Sequence, residues 1–408
     1  MRAYERFLDY AKIYTTSDDH STSHPSTARQ FDLARLLEGQ MKELGLQEVR
    51  VDENCYVYGV LPATPGLEDK PAIGLIAHMD TAPDAPGENV KPQVIENYDG
   101  GDVLFTGTGE YMRVAQFPEL ADWKGQPLIT ADGTTLLGAD DKAGIAEILT
   151  AVERLQKEDI AHGKVCVAFT PDEEVGEGAD LFDVKGFGAD YAYTVDGGDV
   201  GELEYQNFNA ASAFVTIHGF SVHPGSAKDL MKNAQNIAME LHAMLPADER
   251  PEHTEGTEGF YHLCEMSGTV SEAKLEYIIR DHDMEKFKAR KAAMTAAAAA
   301  INEKYGEGTA VLELKDSYYN MEQEILPHYH LIENAQLAVK QAGLEPKTVP
   351  IRGGTDGARL SYMGLPCPNL STGGMNGLNF HGPCEYITAE KMDKSVEILL
   401  NILSIYAR

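Results

Sequence analysis

Short runs of apolar residues alternate with longer amphipathic stretches in the first half of the chain. The apolar runs are PAIGLIAHMD (71–80), TLLGADD (135–141), GKVCVAFTPDEE (163–174) and ADYAYTVDG (189–197). Between the second and the third, residues 141–160 carry apolar positions at helical spacing. Fully apolar strands that alternate with amphipathic helices are typical of α/β proteins. We therefore predict an α/β fold with a mixed, mostly parallel sheet flanked by helices.

The middle of the chain follows a different pattern. It predicts strands at 211–220, 261–270, 273–283 and 309–318, and helices at 226–245 and 284–306. This β-α-β-β-α-β order is the split βαβ arrangement of ferredoxin-like domains. We therefore predict an inserted α+β domain at 208–320, with residues 1–207 and 321–408 as the two parts of one larger domain.

Length and charge narrow the classes of function. A chain of 408 residues exceeds the usual size of one domain, which agrees with this division. Its formal net charge of −31 repels nucleic acid phosphates and anionic membranes, so we expect neither as a partner. An anionic substrate would need a local group of cations to overcome this field.

Two further features bear on the cellular compartment. Residues 1–19 lack the apolar core of a signal peptide, and no apolar segment reaches membrane-spanning length. The cysteines are odd in number and match no zinc or redox spacing; they are Cys55, Cys166, Cys264, Cys367 and Cys384. We expect a reduced, cytoplasmic protein, with Cys166 as a small core residue.

Histidine and carboxylate side chains gather where the predicted strands end. The residues concerned are His78, Asp80, Asp140, Asp141, Glu173, Glu174 and Asp196. Because parallel strands share one carboxyl edge, where ligands bind, four separate segments should bring these groups to one rim. So many acids would repel each other unless a cation lay among them. The pattern therefore predicts a metal site, and this ligand set suits zinc, with manganese or cobalt as substitutes.

The three adjacent carboxylates of the third run can be given different roles. Such a run is usually an exposed loop or the first turn of a helix, and Asp172 fits a turn or cap. Glu174 could be a metal ligand, and Glu173 could be a general base beside the metal. Asp80, two residues after His78, could accept the second ring N–H of that histidine.

Seven short motifs carry a resemblance to a known family. They are HMDTAP (78–83), LGADDKAG (137–144), PDEEVG (171–176), VDGG (195–198), HPGSAKDLMKNA (223–234), RGGTDGARLS (352–361) and NFHGP (379–383). In this order they resemble the di-zinc aminoacylase and carboxypeptidase-type metallopeptidases over essentially the whole chain. The resemblance implies a zinc-peptidase-like fold in which the inserted ferredoxin-like domain serves as a lid and dimerisation domain.

The resemblance also implies the metal ligands. One zinc would be held by His78, Asp140 and Asp196. The second would be held by Asp140, Glu174 and His381, with Asp140 shared between the two zinc ions of each subunit. From the residues alone, His381 before Gly-Pro is typical of a turn, and only the resemblance selects it from the 13 histidines. A cis peptide bond between Asp140 and Asp141 is implied as well.

The remaining implied roles concern catalysis. Asp80 would orient His78, and Glu173 would be the general base. His223, in the inserted domain, would stabilise the oxyanion, from its own subunit or from the partner of a homodimer formed through that domain.

Two arginines are candidates for binding the substrate. Arg280 and Arg352 are either solvated surface residues or the cations that meet the α-carboxylate of a short peptide. The backbone N–H groups of residues 353–355 could assist, as oriented amides do in anion sites. The second reading would provide the local cations that a strongly acidic protein needs.

Taken with the resemblance, these features lead us to expect an aminopeptidase that removes the N-terminal residue from tripeptides. One alternative is another hydrolase of the family: an aminoacylase, a dipeptidase or a carboxypeptidase. The catalytic residues do not separate these. The other alternative is a zinc-binding or scaffold protein without catalysis, against which the pair Asp80 and Glu173 argues, because a binding site has no use for a base.

Overall fold

The structure is a computed structural model that describes residues 1–374 and 380–408. Asn379, the first residue of the NFHGP motif, lies outside the described residues. The chain divides into two compact units. Unit 1 comprises Met1–Tyr205, Gln323–Val349 and Thr355–Arg408; unit 2 comprises Gln206–Glu322 and Pro350–Gly354.

The secondary structure elements are numbered along the chain. The helices are α1 (Ala3–Tyr10), α2 (Gln30–Glu43), α3 (Ala139–Lys157), α4 (Val184–Phe187), α5 (Ala234–Ala243), α6 (Met284–Tyr305), α7 (Glu322–Ile325), α8 (His330–Gln341), α9 (Asp356–Tyr362) and α10 (Ala389–Tyr406). The strands are β1 (Gln47–Val51), β2 (Val57–Leu61), β3 (Ile73–His78), β4 (Gln93–Ile95), β5 (Val103–Leu104), β6 (Tyr111–Met112), β7 (Leu128–Thr130), β8 (Val165–Thr170), β9 (Tyr191–Val195), β10 (Glu202–Glu204), β11 (Asn209–His218), β12 (Phe260–Gly268), β13 (Glu272–Asp281), β14 (Ala310–Tyr318), β15 (Lys347–Thr348), β16 (Asn369–Leu370) and β17 (Tyr386–Thr388).

A mixed sheet of eight strands forms the centre of unit 1. Its order is β1-β2-β8-β3-β9-β16-β10-β15, and the four strands from β8 to β16 are parallel. Smaller sheets join β17, β7 and β4, and β5 with β6. The predicted α/β fold with a mostly parallel sheet is therefore confirmed.

Both faces of the parallel strands are buried, which explains their continuous apolar runs. Leu75 and Val167 pack into one core with helices α1, α3 and α10. Ile76 and Cys166 face the opposite way, into a second core that includes Leu360 of α9. Cys166 is thus the core residue that the sequence predicted. Within the described part of the chain, no helix has the length and apolar character needed to cross a bilayer.

The prediction of a strand at 135–141 is wrong. Leu136 and Leu137 are buried, as the apolar run indicated, but the segment is a loop that leads into α3. Gly138 has a left-handed backbone (φ 77°), which a strand does not allow. The N–H groups of Leu137 and Gly138 donate to the carboxylate of Glu385 instead of to a neighbouring strand.

Unit 2 is built on an antiparallel sheet in the order β12-β13-β11-β14. Helices α5 and α6 contribute Ile237 and Met294 to a core with this sheet. The helix predicted at 226–245 is shorter, because α5 begins after Asn233, whose side chain accepts the N–H groups of the first turn.

Candidate metal centre

His78 is the last residue of β3 and lies at the carboxyl edge of the main sheet. Its register partner in β8 is Thr170, just before the acidic run, and Asp196 directly follows β9. These segments end side by side because their strands are parallel neighbours. The Nε2 atom of His78 lies 3.6 Å from Oδ1 of Asp196.

Asp140 reaches the same place from the start of α3 and not from a strand end. Its Oδ1 lies 3.0 Å from Nε2 of His78, and its Oδ2 lies 3.5 Å from Nε2 of His381. One carboxylate therefore stands between two imidazoles, with one oxygen facing each. The peptide bond between Asp140 and Asp141 is cis, as the resemblance implied.

His381 lies on the more open side of the cluster. Its side chain is 39% exposed, against 2% for His78. Its Nε2 lies 2.9 Å from Oε2 of Glu174, and its Nδ1 lies 3.5 Å from Oδ2 of Asp84. His381, which only the resemblance indicated, is thus in contact with Glu174 of the acidic run.

The three adjacent carboxylates of that run have different surroundings. Asp172 is fully buried and accepts hydrogen bonds from the backbone N–H and hydroxyl of Ser26 and from the amide of Gln30. It belongs to a buried structural network, and its left-handed backbone (φ 57°) makes the predicted turn. Glu174 instead points to the imidazoles, with Glu173 beside it.

Asp80 is fully buried and ties the acidic run to His78. Its two oxygens accept the backbone N–H groups of Glu173 and Glu174 at 3.0 and 3.1 Å. The Nδ1 atom of His78 lies 3.0 Å from the backbone carbonyl oxygen of Asp80 and 3.3 Å from its Oδ1. Asp80 therefore positions the imidazole ring through its carbonyl and carboxylate, and the start of the 3₁₀ turn at Glu173–Val175 through its carboxylate.

Burial and close charges shift the pKa values in this cluster. Burial, followed by the charge of Asp140, raises the pKa of Glu174 to about 8. Burial would also raise the pKa of Asp140, but hydrogen bonds from His381 and His78 hold it below its usual range. Hydrogen bonds to Asp140 and Glu174 raise the pKa of His381 to about 11. Burial, with neighbouring carboxylates, raises the pKa of Glu173 well above its usual value.

The cluster meets the conditions for binding metal ions. His78, Asp140 and Glu174 offer three ligand atoms within 4.8 Å of one another, and so do His78, Asp141 and Asp196. The Oε1 atom of Glu174 is buried and has no hydrogen-bond partner among the described residues. Protonated imidazoles would offset part of the negative charge of the carboxylates, and divalent cations would do the same. Imidazole and carboxylate are also the ligands that such cations use.

Asp141 lies in this cluster although the resemblance gave it no role as a ligand. It is fully buried, and its carboxylate accepts the N–H of His78 at 3.1 Å and the N–H of Gly144 at 3.2 Å. The side chain therefore fastens the start of α3 to the end of β3. No sequence pattern identifies this role, because it depends on a backbone group 63 residues earlier.

His223, Arg280 and Arg352 all lie in unit 2, where their predicted roles stay predictions. His223 is exposed, and its Nδ1 accepts the N–H of Gly225 at 3.1 Å. This local contact is part of the 3₁₀ turn at Pro224–Ser226.

The two arginines differ in how much of their hydrogen-bonding capacity is used. Arg352 donates to backbone oxygens of the loop 254–258 and lies over the ring of Phe208. Arg280 donates to the carbonyl of Arg352 at 3.3 Å, but its buried Nε has no partner in the part of the chain that the structure describes. Arg352 therefore holds a loop, whereas the Arg280 guanidinium has a single hydrogen bond among the described residues.

The sequence is similar to known peptidases along its whole length. Residues 119–404 match the model of peptidase family M20/M25/M40. Peptidase T from Caldanaerobacter subterraneus subsp. tengcongensis is 56% identical over 406 residues, which cover 99% of this chain and 98% of that protein. Peptidase T from Geobacillus kaustophilus is 55% identical over 404 residues, with coverage of 98% and 97%.

Solved structures of peptidases are similar to this chain over nearly its whole length. A tripeptidase from Staphylococcus aureus subsp. aureus Mu50 matches with a TM-score of 0.80 and 25% identity, over 100% of this chain and 98% of that one. A Bacillus subtilis protein described as a dinuclear metal binding peptidase from the M20 family shares the fold, with a TM-score of 0.65, 14% identity and coverage of 99% and 97%.

Proposed function

This chain belongs to peptidase family M20/M25/M40, and on that basis we propose that it is a di-zinc aminopeptidase that removes the N-terminal residue from tripeptides. Relatives with more than half of their residues identical carry the name Peptidase T. The observation that carries the metal chemistry is the Asp140 carboxylate, with one oxygen facing His78 and the other facing His381.

Two metal ions would be held by side chains of unit 1. His78, Asp140 and Asp196 would hold one ion. Asp140, Glu174 and His381 would hold the other, so that Asp140 serves both. When bound, the ions would polarise the scissile carbonyl and lower the pKa of the attacking water. Zinc suits this set of imidazole and carboxylate ligands, with cobalt or manganese as substitutes.

Glu173 would move the proton. Asp80 accepts its backbone N–H and so keeps it beside the proposed ligand Glu174. Burial raises the pKa of the Glu173 carboxylate, and a carboxylate with a raised pKa is a stronger base. Such a group accepts a proton from the attacking water and returns it to the leaving amine.

His223 would donate a hydrogen bond to the oxyanion of the tetrahedral intermediate. Its Nδ1 accepts the N–H of Gly225, so the neutral ring carries its proton on Nε2. This tautomer presents an N–H donor, which a developing negative charge requires. The donor would serve its own subunit or the partner subunit of a dimer.

Arg280 would bind the α-carboxylate of the peptide. The Arg280 guanidinium has one hydrogen bond to a backbone carbonyl among the described residues, whereas that of Arg352 donates to several backbone oxygens, which supports Arg280 as the choice. A charge-assisted hydrogen bond to a carboxylate is stronger than one between neutral groups. The arginine would therefore select substrates with a free C-terminus.

A homodimer formed through unit 2 is part of this proposal. β12 and β14 are the edge strands of the unit 2 sheet, and each has a side without a strand partner among the described residues. Sedimentation of the full chain would decide the point, and a monomer at every concentration would contradict it. A cytoplasmic location is a proposal as well, to be checked by cell fractionation.

Hydrolysis of matched peptides by the metal-loaded enzyme tests the activity. We expect release of the N-terminal residue from free tripeptides, slower turnover of dipeptides and tetrapeptides, and none of N-acetylated tripeptides. Faster cleavage of dipeptides, of acetylated amino acids or of the C-terminal bond would identify one of the related hydrolases. A chain that binds two metal ions but cleaves none of these compounds would be a binding protein.

A further inference from the structure

One buried carboxylate holds the loop that leads to Asp140. Glu385 is 2% exposed. Its Oε2 accepts the backbone N–H groups of Leu137 and Gly138, both at 2.8 Å, and its Oε1 accepts the N–H of Asp140 at 3.0 Å. Three N–H groups of one short loop therefore end on a single side chain.

The position of this loop matters because Asp140 has a short side chain. Its carboxylate must present one oxygen to His78 and the other to His381, at 3.0 and 3.5 Å. Two side-chain torsions cannot correct a displaced backbone, so the backbone itself has to be fixed.

Glu385 is also close in sequence to a second proposed ligand. It lies four residues after His381, and its own N–H donates to the carbonyl of Gly382 at 3.2 Å. The next residue, Tyr386, begins β17, which pairs with β7. The segment 381–385 thus contains the proposed ligand His381. Through the side chain of Glu385 it also holds the backbone at Asp140.

A role in the stability of the loop alone would also require an acceptor at this position. Buried backbone N–H groups need acceptors wherever they occur, and any polar side chain can provide them. However, hydrogen bonds to a carboxylate are shorter and stronger than those to a neutral acceptor. All three of these bonds lie within residues 137–140, directly at the shared ligand.

We propose that Glu385 is a positioning residue of the metal centre, which sets the geometry of the Asp140 carboxylate and thereby the affinity for a pair of divalent metal ions. The inference rests on the proposed function only in taking Asp140 as the shared ligand. Glu385 itself contacts backbone groups and not the reacting atoms. Because its effect is on metal binding, it can be tested without a peptide substrate.

The test measures binding of Zn²⁺ and of Co²⁺ to the metal-free full chain by calorimetric titration, with Glu385→Gln and Glu385→Asp as variants. Glutamine keeps the length of the side chain but places an N–H₂ group against one of the backbone N–H donors of the loop. Aspartate keeps the negative charge, but its shorter side chain places the carboxylate farther from these N–H groups. We expect both variants to bind the metal pair about 10- to 100-fold more weakly, the usual effect of losing a group that orients a ligand, and to change the visible spectrum of the Co²⁺ form.

Glu147→Gln is the matched control. Glu147 is a fully buried glutamate in α3, but its carboxylate contacts the hydroxyl of Ser395 and no backbone group of the 137–140 loop. It should retain the metal affinity and the Co²⁺ spectrum of the unmodified chain. Equal metal affinity in all variants, or equal losses in Glu147→Gln and Glu385→Gln, would overturn the proposal.

Hydrogen exchange on the unmodified, metal-free chain gives an independent measurement if the Glu385 variants do not fold. The amide protons of Leu137, Gly138 and Asp140 should exchange slowly before any metal is added, because Glu385 already holds them. Fast exchange of these amides that becomes slow only with Zn²⁺ would mean that the metal orders the loop, and would overturn the proposal. Neither outcome depends on tripeptide hydrolysis, so the proposed function is tested separately.

Discussion

The proposed metal ligands of unit 1 and the proposed substrate residues of unit 2 are held in different ways. In unit 1 the buried carboxylates of Asp80, Asp141 and Glu385 accept backbone N–H groups from the segments that carry the ligands. In unit 2 His223 is exposed and accepts one local backbone N–H, while the Arg280 guanidinium has a single hydrogen bond among the described residues.

This difference follows from what each group has to bind. Metal ligands act as a set, so each must be fixed with respect to the others before the ion arrives. A residue that binds a passing peptide needs a free donor. Substitutions in unit 1 should therefore change the metal content or the proton transfer, and substitutions in unit 2 should change kinetics alone.

Replacing the shared ligand should have the largest effect. Asp140→Ala is expected to lose both metal ions and all measurable turnover, because the same carboxylate faces both imidazoles. Metal analysis after dialysis measures this, with the surface residue variant Asp393→Ala as the control. If Asp140→Ala keeps one full equivalent of metal, the two ions do not depend on a shared ligand.

Glu173→Ala should separate proton transfer from metal binding within unit 1. We expect both metal ions to be retained and kcat to fall by roughly 10²–10⁴-fold, the usual contribution of a general base. The nearby exposed residue Glu177 provides a matched control, Glu177→Ala, which should keep normal turnover. Near-normal kcat in the metal-loaded Glu173→Ala enzyme would remove Glu173 from the mechanism.

His223→Ala tests whether unit 2 acts on kinetics alone. Metal content should be unchanged, and kcat should fall by about 10²–10³-fold, as after removal of one oxyanion donor. His262→Ala, another exposed histidine of unit 2, should behave like the unmodified enzyme. Loss of zinc from His223→Ala would place His223 among the ligands and would contradict the assignment of His381.

Arg280→Ala should have the smallest effect and the most selective one. A charge-assisted hydrogen bond is worth about 1.5–3 kcal/mol, or on the order of 10- to 100-fold in kcat/KM. This loss should appear with tripeptides and be small with tripeptide amides, which lack the terminal charge. Equal losses on the free acid and the amide would show that Arg280 does not bind the carboxylate, and Arg352 would be the next candidate.

Peptide length sharpens the same test. The metal ions fix the scissile bond, and an extended chain advances by about 3.3–3.6 Å per residue. A cation at a fixed position would therefore accept only one length. We expect Arg280→Ala to discriminate less between tripeptides and tetrapeptides, as measured by the ratio of their kcat/KM values. An unchanged ratio would assign length selection to another part of unit 2.

Much of the fold could be predicted because buried strands and helices have characteristic patterns of apolar residues. The apolar runs that became β3, β8 and β9 are continuous because these central strands have cores on both faces. In unit 2 the order of strands and helices was also predicted correctly, and the main error was the start of α5, where Asn233 provides the cap.

The candidate site was only partly predictable. His78 ends one parallel strand, and Glu174 and Asp196 come after two others, so their proximity could be argued from topology. His381 could not be found in that way, because its place depends on a loop far along the chain and only the family motif indicated it. Asp141 and Glu385 carry no sequence signal for their roles, since each accepts N–H groups that any residue could provide.

The sequence by itself determined which apolar segments would be buried, which segments would form the central strands, and which chemical groups were available for a metal site. The tertiary structure decided how the loop before α3 is formed: the apolar residues Leu136 and Leu137 are buried as predicted, yet they are not in a strand. The physical reason is that the pattern of apolar residues depends on which side chains are buried. It contains no information about which groups accept the backbone N–H groups. At Asp140 that partner is Glu385, 245 residues away in the chain and brought there only by folding.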